Sequence, residues 1–540
     1  MKKRIFVWLA GAGMAVWGMS FSALGGEENF CSKPVSAEQG LIQGFADPEH
    51  KACVWKGVPY AAPPVGELRF RAPAPPLKHE GVYQADHYRK SCLQKAMLTS
   101  GGDVGETGED CLTLNIRSPQ KPGSFPVMLW IHGGGFRQGT GNFEMYNGAR
   151  LAAEKDVVVV TINYRIGALG YLALPELKAE DPHGSTGNYG ILDQLQALKW
   201  VQRNIAGFRG DPRNVTVFGQ SAGAISNCIM MTSPLSAGLY HKAIIESGMC
   251  DFMESMDRGY ERSQELAQKL GCGGPEVLKC LRALPEKKLM PTGGNLLLEG
   301  GVPFLPHIDG YVADKQPADY FKDGHYNRRP VIMGSNRDEI KMYTLTLSGL
   351  SLITRSTMNQ LMKKLTGEAY DQIMRLYSFD DYSRPIHLFH AVATDLAFSS
   401  RVYDAAEALS KNGPVYVYRF DFDQMRFPEK MGAFHGLEIS FAFGNMALSS
   451  TIHKIVATRK TIDAAQPLIA DMMAYWTNFA KTGDPNGPGL KPWPLYNTAA
   501  KQRLILDAPV SEDTVSAKEI ERYKVLINYD LTGIKMTPKK

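Results

Sequence analysis

The sequence predicts an α/β fold with a large, mostly parallel central sheet and helices on both of its faces. From about Pro126 onward, short apolar runs such as PVMLWI and NVTVFG alternate with helical segments. The runs are rich in β-branched residues, as expected of strands buried on both faces. In ILDQLQALKWVQRNIAGF, Leu192, Leu195, Leu198 and Val201 recur at helical spacing. Strands that alternate with helices in this way form a parallel sheet covered on both sides.

Further apolar runs extend this sheet toward the C-terminus: DVVVVTINY, HKAIIESG, RPVIMGSN, GPVYVYRFDF and RLIL. Two largely helical segments, about residues 250–329 and 341–411, interrupt the alternation. In an enzyme of this architecture, insertions of this kind are expected to lie over the strand ends and shape a substrate pocket; the alternative is that they are only packing elements. Since no repeat or Ser/Gly linker divides the chain, we predict one large domain over residues 26–540.

The N-terminus has the pattern of a removable export signal over residues 1–25. Lys2-Lys3-Arg4 supplies the positive end, and an uncharged apolar run from Ile5 to Phe21 leads into small residues. Cleavage after Ser22 or after Gly25 fits equally, and an uncleaved anchor is the alternative. We expect a secreted or periplasmic protein without a stable membrane anchor after cleavage.

The number and distribution of charged residues give no indication of nucleic-acid binding. The chain of 540 residues carries 60 basic and 55 acidic side chains, for a net charge of +5. Dense basic runs are confined to the two termini, so nucleic-acid binding is not indicated.

Eight cysteines in an exported chain predict disulfide bonds. Three pairs enclose loops that a bridge would close: Cys272–Cys280, Cys92–Cys111 and, with less support, Cys31–Cys53. Cys228 lies in an apolar segment and is expected to be a buried free thiol. Cys250 has no evident partner.

The stretch VTVFGQSAG places Ser221 between Gly219 and Gly223 at the end of a predicted strand. This G-x-S-x-G pattern is typical of a nucleophilic serine held in a strained strand-to-helix turn. The alternative is a tight turn that only needs small residues. A nucleophilic serine also needs a general base and donors aimed at the oxyanion.

A second motif supplies such donors. In WIHGGGF, residues 130–136, a buried strand runs directly into three glycines. A loop of this type contributes oxyanion N–H groups in the α/β-hydrolase fold, together with the residue after the nucleophile, here Ala222. We expect His132 to support the loop. Each motif alone would also fit a tight turn without a catalytic role. That interpretation weakens because a nucleophilic serine and an oxyanion loop are two parts of one catalytic mechanism.

The acid and the base should follow the serine in the order Ser, Asp or Glu, His. The strand RPVIMGSN is followed by Asp338 and Glu339, and spacing alone leaves both open. His435 follows the next strand, in GAFHG. His387 and His390 lie three residues apart in a helical stretch and would need further ligands to bind a metal, so we expect no metal and no cofactor.

These motifs resemble the type-B carboxylesterases, a family that includes cholinesterases and bacterial para-nitrobenzyl esterases. The resemblance is collinear from about Ser36 to about Leu506. It includes WKGVPYAAPPVGELRFRAP at 55–73, GEDCLTLNI at 108–116, WIHGGGF at 130–136, NYRIGALGYL at 163–172, GNYGILDQLQALKWVQRNIAGFRGDPRNVTVFGQSAGA at 187–224, GSNRDE at 334–339 and GAFHGLEISFAFG at 432–444.

The resemblance implies the α/β-hydrolase fold and a role for each candidate residue. Ser221 matches the nucleophile, Glu339 the acid and His435 the base. The remaining matches are the oxyanion donors Gly134, Gly135 and Ala222, a hydrogen bond from Ser247 to the acid, the disulfides Cys92–Cys111 and Cys272–Cys280, and the buried ion pairs Arg69–Glu109 and Arg165–Asp193.

Two departures from the family pattern bear on the substrate. Cholinesterases carry a tryptophan shortly before the EDC motif that holds a quaternary ammonium, whereas KAMLTSGGDVGETGEDC has no aromatic residue. The residue before the nucleophile is often Glu in the family and is Gln220 here. Both favour a neutral ester, with Phe252 and Met253 as candidate residues of an acyl pocket.

We therefore predict a serine hydrolase that cleaves small or medium neutral carboxylic esters through an acyl-enzyme. The alternatives are a lipase, a hydrolase of one specialised ester, amide or carbamate, and a non-catalytic binding protein on the same fold. The partner implied is a small-molecule ester.

Overall fold

The computed structural model describes residues 30–95, 102–290, 304–344, 353–446, 457–532 and 537–539. The predicted signal peptide, residues 1–25, lies outside this part of the chain, as do residues 96–101 of the stretch before the EDC motif.

One large sheet dominates the described chain. Its strands, in chain order, are β1 (Phe45–Ala46), β2 (Ala52–Pro59), β3 (Thr113–Pro119), β4 (Phe125–Ile131), β5 (Val158–Ile162), β6 (Gly210–Gln220), β7 (Lys242–Glu246), β8 (Val331–Asn336), β9 (Val415–Phe420), β10 (Gln502–Leu506) and β11 (Ser511–Thr514). Their spatial order is β1-β2-β3-β5-β4-β6-β7-β8-β9-β10-β11. Strands β4 to β10 are mutually parallel. Strands β1 to β3 and β11 add antiparallel edges.

The seven parallel strands are the seven apolar runs of the sequence, which confirms the predicted fold class. Their composition follows from burial on both faces. In β4, Val127 and Leu129 belong to the core on one face of the sheet, whereas Met128 and Trp130 belong to the core on the other. All four side chains are fully buried.

Helices cover both faces of the sheet. They are α1 (Ala149–Lys155), α2 (Gly167–Tyr171), α3 (Pro175–Glu180), α4 (Tyr189–Asn204), α5 (Ala222–Thr232), α6 (Met256–Lys269), α7 (Val277–Ala283), α8 (Pro317–Asp323), α9 (Lys341–Thr344), α10 (Arg355–Thr366), α11 (Tyr370–Leu376), α12 (Pro385–Thr394), α13 (Ser400–Leu409), α14 (Pro428–Met431), α15 (Glu438–Ala442), α16 (Arg459–Thr482) and α17 (Ala517–Leu526). Helix α5 contributes Ile229 to one core, and α16 contributes Trp476 to the other. Within the described residues, no helix has the length and apolarity needed to cross a bilayer.

The two predicted insertions are mainly helical. The first contains α6 to α8 together with the short strands Glu254–Ser255 and His307–Ile308. The second contains α9 to α13 and a π-helical turn, Asp395–Ser399. Helices of the second insertion share a separate core, which includes Met358, Ile373 and Leu388 and is completed by Leu526 of α17.

Shorter strands form small sheets outside the main one. Val35–Ala37, Gly40–Gln43 and Val82–Gln84 make a three-stranded sheet. Ser91–Cys92 pairs with Thr107–Gly108, and Tyr529–Asp530 pairs with Thr537–Pro538.

Four disulfide bonds are present: Cys31–Cys53, Cys92–Cys111, Cys228–Cys250 and Cys272–Cys280. The prediction of a free thiol at Cys228 is therefore wrong. Cys228 lies on α5, which packs against β7, and Cys250 follows β7 by four residues. This packing brings the two Cα atoms to 5.3 Å, within the range that a disulfide spans.

Both buried ion pairs implied by the family resemblance are present. Arg69 Nε lies 2.6 Å from Glu109 Oε1. Arg165 Nη2 lies 2.6 Å from Asp193 Oδ1, and the two side chains are 3% and 0% exposed. The Arg165 backbone N–H also donates to Asp193 at 3.0 Å. Because Arg165 follows β5 and Asp193 lies within α4, this pair fixes α4 against the end of the sheet.

We expect Asp193→Asn to lower the free energy of unfolding by about 3–5 kcal/mol, since it leaves a buried guanidinium without its counter-charge. The matched control is Asp463→Asn, whose pair with Arg459 is exposed at 61% and 89%. The control substitution should lower the free energy of unfolding by about 0.5 kcal/mol or less. Urea unfolding of both variants measures the difference, and equal small losses would contradict the proposed importance of the buried pair.

Candidate active site

Ser221 lies at the sharp turn between the last residue of β6 and the first residue of α5. Its backbone has φ +56° and ψ −122°, a conformation that residues with a side chain rarely adopt. The Ser221 N–H donates to the carbonyl oxygen of Glu246 at 2.8 Å. The turn therefore holds this serine in a strained conformation at the carboxyl end of the sheet.

The two glycines around Ser221 are explained by the end of strand β4. A Cβ atom on Gly219 would lie 2.7 Å from the carbonyl oxygen of Ile131, and one on Gly223 would lie 1.9 Å from the same oxygen. Any side chain at either position would push the turn off β4. The strained turn and the need for small residues are therefore two aspects of one arrangement.

The glycine-rich loop after β4 passes directly over the serine. A Cβ on Gly133 would lie 3.1 Å from Ser221 Cβ. Gly134, Gly135 and Phe136 follow with φ of +106°, +61° and +58°. This run of left-handed conformations turns the backbone sharply beside the serine, where N–H groups can face a bound ligand.

His132 supports the loop from below. Its Nδ1 lies 2.8 Å from the carbonyl oxygen of Gly133, and its ring stacks on Tyr164 with 4.3 Å between the centroids. The Tyr164 hydroxyl donates to the carbonyl oxygen of His132 at 2.8 Å. Burial lowers the pKa of His132 to about 4, so the ring is neutral and packs as part of the loop.

A chain of hydrogen bonds leads from strands β7 and β8 to His435. Glu339 Oε1 accepts from the Ser247 hydroxyl at 2.6 Å and from the Asn336 N–H at 2.7 Å. Glu339 Oε2 lies 2.5 Å from His435 Nδ1. All of these groups are buried. The carboxylate is thus held on one side while its other oxygen orients the imidazole.

Asp338, the other acidic candidate, faces elsewhere. It lies 2.9 Å from Lys341 Nζ and accepts from the Ala433 N–H at 3.1 Å. Of the two adjacent carboxylates, Glu339 is the one hydrogen-bonded to His435.

The charge around His435 favours its protonated form. Burial lowers the pKa of the imidazole, but the charge and hydrogen bond of Glu339 outweigh burial, and the net pKa lies above its ordinary value of 6.5. Glu438, one turn further along, adds a second raising influence. The pKa of Glu438 is itself raised, first by burial and then by the charge of Glu339.

The outer nitrogen of His435 contacts Gln220. Nε2 lies 3.0 Å from the side-chain nitrogen of Gln220. In the neutral imidazole whose proton lies on Nδ1, toward Glu339, Nε2 accepts this hydrogen bond and the Gln220 amide donates it. Among the hydrogen bonds of the described residues, none joins His435 to the Ser221 hydroxyl. The sequence analysis singled out Gln220 only because it lacks the charge of the Glu that is common at this position in the family. The only feature of the sequence that points to a contact with His435 is its position next to Ser221.

Two aromatic residues from the second insertion pack against His435. The Phe398 ring lies 5.0 Å from the imidazole, and the Tyr343 ring lies 5.6 Å from it. Helical periodicity alone could not identify either residue, because it does not show which face of an insertion covers the sheet. Phe252 and Met253 are buried in the core around α5, so their role in an acyl pocket stays a prediction.

His387 and His390 of the second insertion contact hydroxyl groups of the same segment. His390 Nε2 contacts the Thr344 hydroxyl at 2.9 Å. In the part of the chain that the structure describes, no group of three or more His, Cys, Asp or Glu residues is arranged to hold a metal ion.

Known proteins are similar to this chain in sequence and in fold over most of their lengths. The sequence profile of the carboxylesterase family matches residues 32–523. The chain is 34% identical over 485 residues to a para-nitrobenzyl esterase of Bacillus subtilis, covering 88% of this chain and 95% of the relative. It is also 34% identical over 468 residues to a fumonisin B1 esterase of Sphingopyxis macrogoltabida, covering 85% and 84%.

The similarity extends to three dimensions. A crystal structure of a carboxylesterase of Geobacillus stearothermophilus superposes with a TM-score of 0.80 at 31% identity, covering 91% of this chain and 100% of that one. The sheet order, the serine turn and the profile match lead to the same assignment: the chain belongs to the carboxylesterase family and is a carboxylic-ester hydrolase.

Proposed function

We propose that Ser221 is the nucleophile, His435 the general base and Glu339 the acid of a catalytic triad that hydrolyses carboxylic esters. The observation that carries this proposal is the buried chain of hydrogen bonds that fixes Glu339 and, through it, His435. This chain ends beside the strained turn that carries Ser221. Such an arrangement has the parts that activate a serine hydroxyl.

The reaction proceeds through an acyl-enzyme. His435 Nε2 accepts the Ser221 proton while Oγ attacks the ester carbonyl, and the N–H groups of Gly134, Gly135 and Ala222 stabilise the oxyanion. His435 then protonates the departing alcohol. It next takes a proton from the water that attacks the acyl carbon, and it returns that proton to Ser221 Oγ as the bond from the acyl carbon to Oγ breaks and the acid leaves. For the first step, Nε2 must exchange the Gln220 amide for the Ser221 hydroxyl.

We further propose that the preferred substrates are small or medium esters without a positive charge. Gln220 beside the nucleophile is neutral, and no aromatic residue stands where cholinesterases hold a quaternary ammonium. Phe252 and Met253 are the candidate residues of the acyl pocket.

We infer that the enzyme is exported, as a single domain over residues 26–540 that follows a signal peptide over residues 1–25. The four disulfide bonds support an oxidising compartment, such as the periplasm or the medium.

Ser221→Ala should lower kcat for p-nitrophenyl butyrate by about 10,000-fold or more, because loss of the nucleophile removes the acyl-enzyme route. Ser410→Ala is the control, since its hydroxyl lies at the end of α13 and bonds only the Glu407 carbonyl oxygen among the described contacts. Steady-state rates of the purified proteins measure the effect. Equal activity of Ser221→Ala and the parent protein would refute the proposed triad.

Gln220→Glu should move the acid limb of the kcat/KM profile to higher pH by about one unit or more. A carboxylate near Nε2 stabilises the imidazolium and so raises the pKa of His435. Since the base must be neutral to act, activity is then lost at a higher pH. Gln220→Met has similar size without the charge and serves as the control. A profile of Gln220→Glu that matches that of Gln220→Met would contradict the proposed proximity of residue 220 to the base.

The substrate preference is tested with a pair of esters of the same shape. Hydrolysis of 3,3-dimethylbutyl butyrate should exceed that of butyrylcholine by about 10-fold or more in kcat/KM, because the cost of burying the ammonium group is not offset by a tryptophan at the position that holds it in cholinesterases. Equal values for the two esters would show that charge does not govern selection.

A further inference from the structure

We propose that Gln94 is a positioning residue for the oxyanion loop. Its side-chain amide fixes the backbone of Gly139, and Gly139 in turn fixes the part of the loop that carries the N–H groups of Gly134 and Gly135. The inference rests on the proposed role of those two N–H groups.

The amide of Gln94 pairs with both backbone groups of Gly139. Its Nε2 donates to the Gly139 carbonyl oxygen at 2.7 Å, and its Oε1 accepts from the Gly139 N–H at 2.8 Å. The side chain is 3% exposed. Two opposed hydrogen bonds to one residue fix both its position and the orientation of its peptide groups, as a neighbouring strand would.

Gly139 closes the loop onto its own beginning. A Cβ at this position would lie 2.4 Å from His132 Nδ1 and 2.5 Å from the Gly133 carbonyl oxygen. Inside the closed loop, the Gly134 carbonyl oxygen accepts from the N–H groups of Arg137 and Gln138, each at 3.2 Å. A shift of Gly139 is therefore transmitted directly to Gly133 and Gly134.

Gln94 itself is held by a rigid support. Its Nε2 also donates to the carbonyl oxygen of Cys92 at 3.0 Å, and Cys92 is bonded to Cys111. Nearby, the Ser91 hydroxyl donates to Thr140 Oγ1 at 2.9 Å, and Asn142 Nδ2 donates to the Arg89 carbonyl oxygen at 3.0 Å. These two hydrogen bonds hold Thr140 and Asn142, which follow the loop in the chain, whereas Gln94 holds Gly139, the residue that closes the loop.

The arrangement predicts a specific kinetic defect. The oxyanion N–H groups act on the charge that develops in the transition state, so a small displacement raises the barrier to reaction without weakening substrate binding. Removal of an oxyanion donor costs about 100-fold to 1,000-fold in kcat, and a displaced loop should cost less than that.

We test the role of Gln94 with Gln94→Leu, which keeps the size of the side chain and removes both hydrogen bonds to Gly139. With p-nitrophenyl butyrate, kcat should fall by about 10-fold to 100-fold while KM changes by less than about threefold. The affinity for an alkyl trifluoromethyl ketone, which forms an oxyanion on the nucleophile, should fall by a similar factor. The acid limb of the pH profile should not move.

The matched control is Gln202→Leu. Gln202 Nε2 donates to the carbonyl oxygens of Pro212 and Leu239, both at 2.8 Å, near the opposite end of β6 from Ser221. This variant loses comparable hydrogen bonds and should keep kcat within about twofold of the parent protein.

Three outcomes would overturn the proposal: a folded Gln94→Leu enzyme with kcat within twofold of the parent, a loss of kcat with unchanged affinity for the ketone, or an equal loss in Gln202→Leu. If Gln94→Leu does not fold, Gln94→Asn is measured in the same way, since its amide is too short to reach Gly139. An active Ser221→Ala would instead refute the triad itself, so the two failures are distinguishable.

Discussion

The contact of the Ile131 carbonyl with the turn at Ser221 is the constraint on which the rest of the site depends. Ile131 is the last residue of β4, and its oxygen lies where a side chain on Gly219 or Gly223 would be. The glycine-rich loop that we propose to bind the oxyanion starts at the next residue. One close approach of two backbones therefore sets the distance between the serine and the loop above it, and the two glycine motifs form one structural unit.

The parallel sheet explains how residues far apart in the chain meet at this unit. Strands β4, β6, β7 and β8 are adjacent and parallel, so their carboxyl ends lie side by side. These ends lead into the glycine-rich loop, Ser221, Ser247 and Glu339 in turn, and β9 leads into the segment with His435. Function at the carboxyl ends of a parallel sheet is a general consequence of this topology. The insertions then add the aromatic residues that cover His435.

The sequence was sufficient to predict features that depend on local chemistry, but not features that depend on how distant segments pack together. Strands buried on both faces must be apolar throughout, so all seven parallel strands were recognisable. The Cys228–Cys250 bond was not, because it depends on how α5 packs against β7. Spacing could not separate Glu339 from Asp338, since both follow β8 and only the direction of the side chains differs. The contact between Gln220 and His435 likewise follows from a rotamer that no sequence pattern records.

That contact gives a physical role to the neutral residue beside Ser221, the proposed nucleophile. Glu339 and Glu438 both favour a protonated His435, and Glu246 is a further buried carboxyl whose pKa burial and then the charge of Glu438 raise. Two buried carboxyl groups, Glu339 and Glu438, thus already act on His435, the proposed base. A hydrogen bond donated by Gln220 to Nε2 stabilises the neutral imidazole, the form that can accept the serine proton. A carboxylate there would add to the charge that opposes it. In the proposed triad, this hydrogen bond opposes the rise in the pKa of His435 until the Ser221 hydroxyl replaces the amide at Nε2.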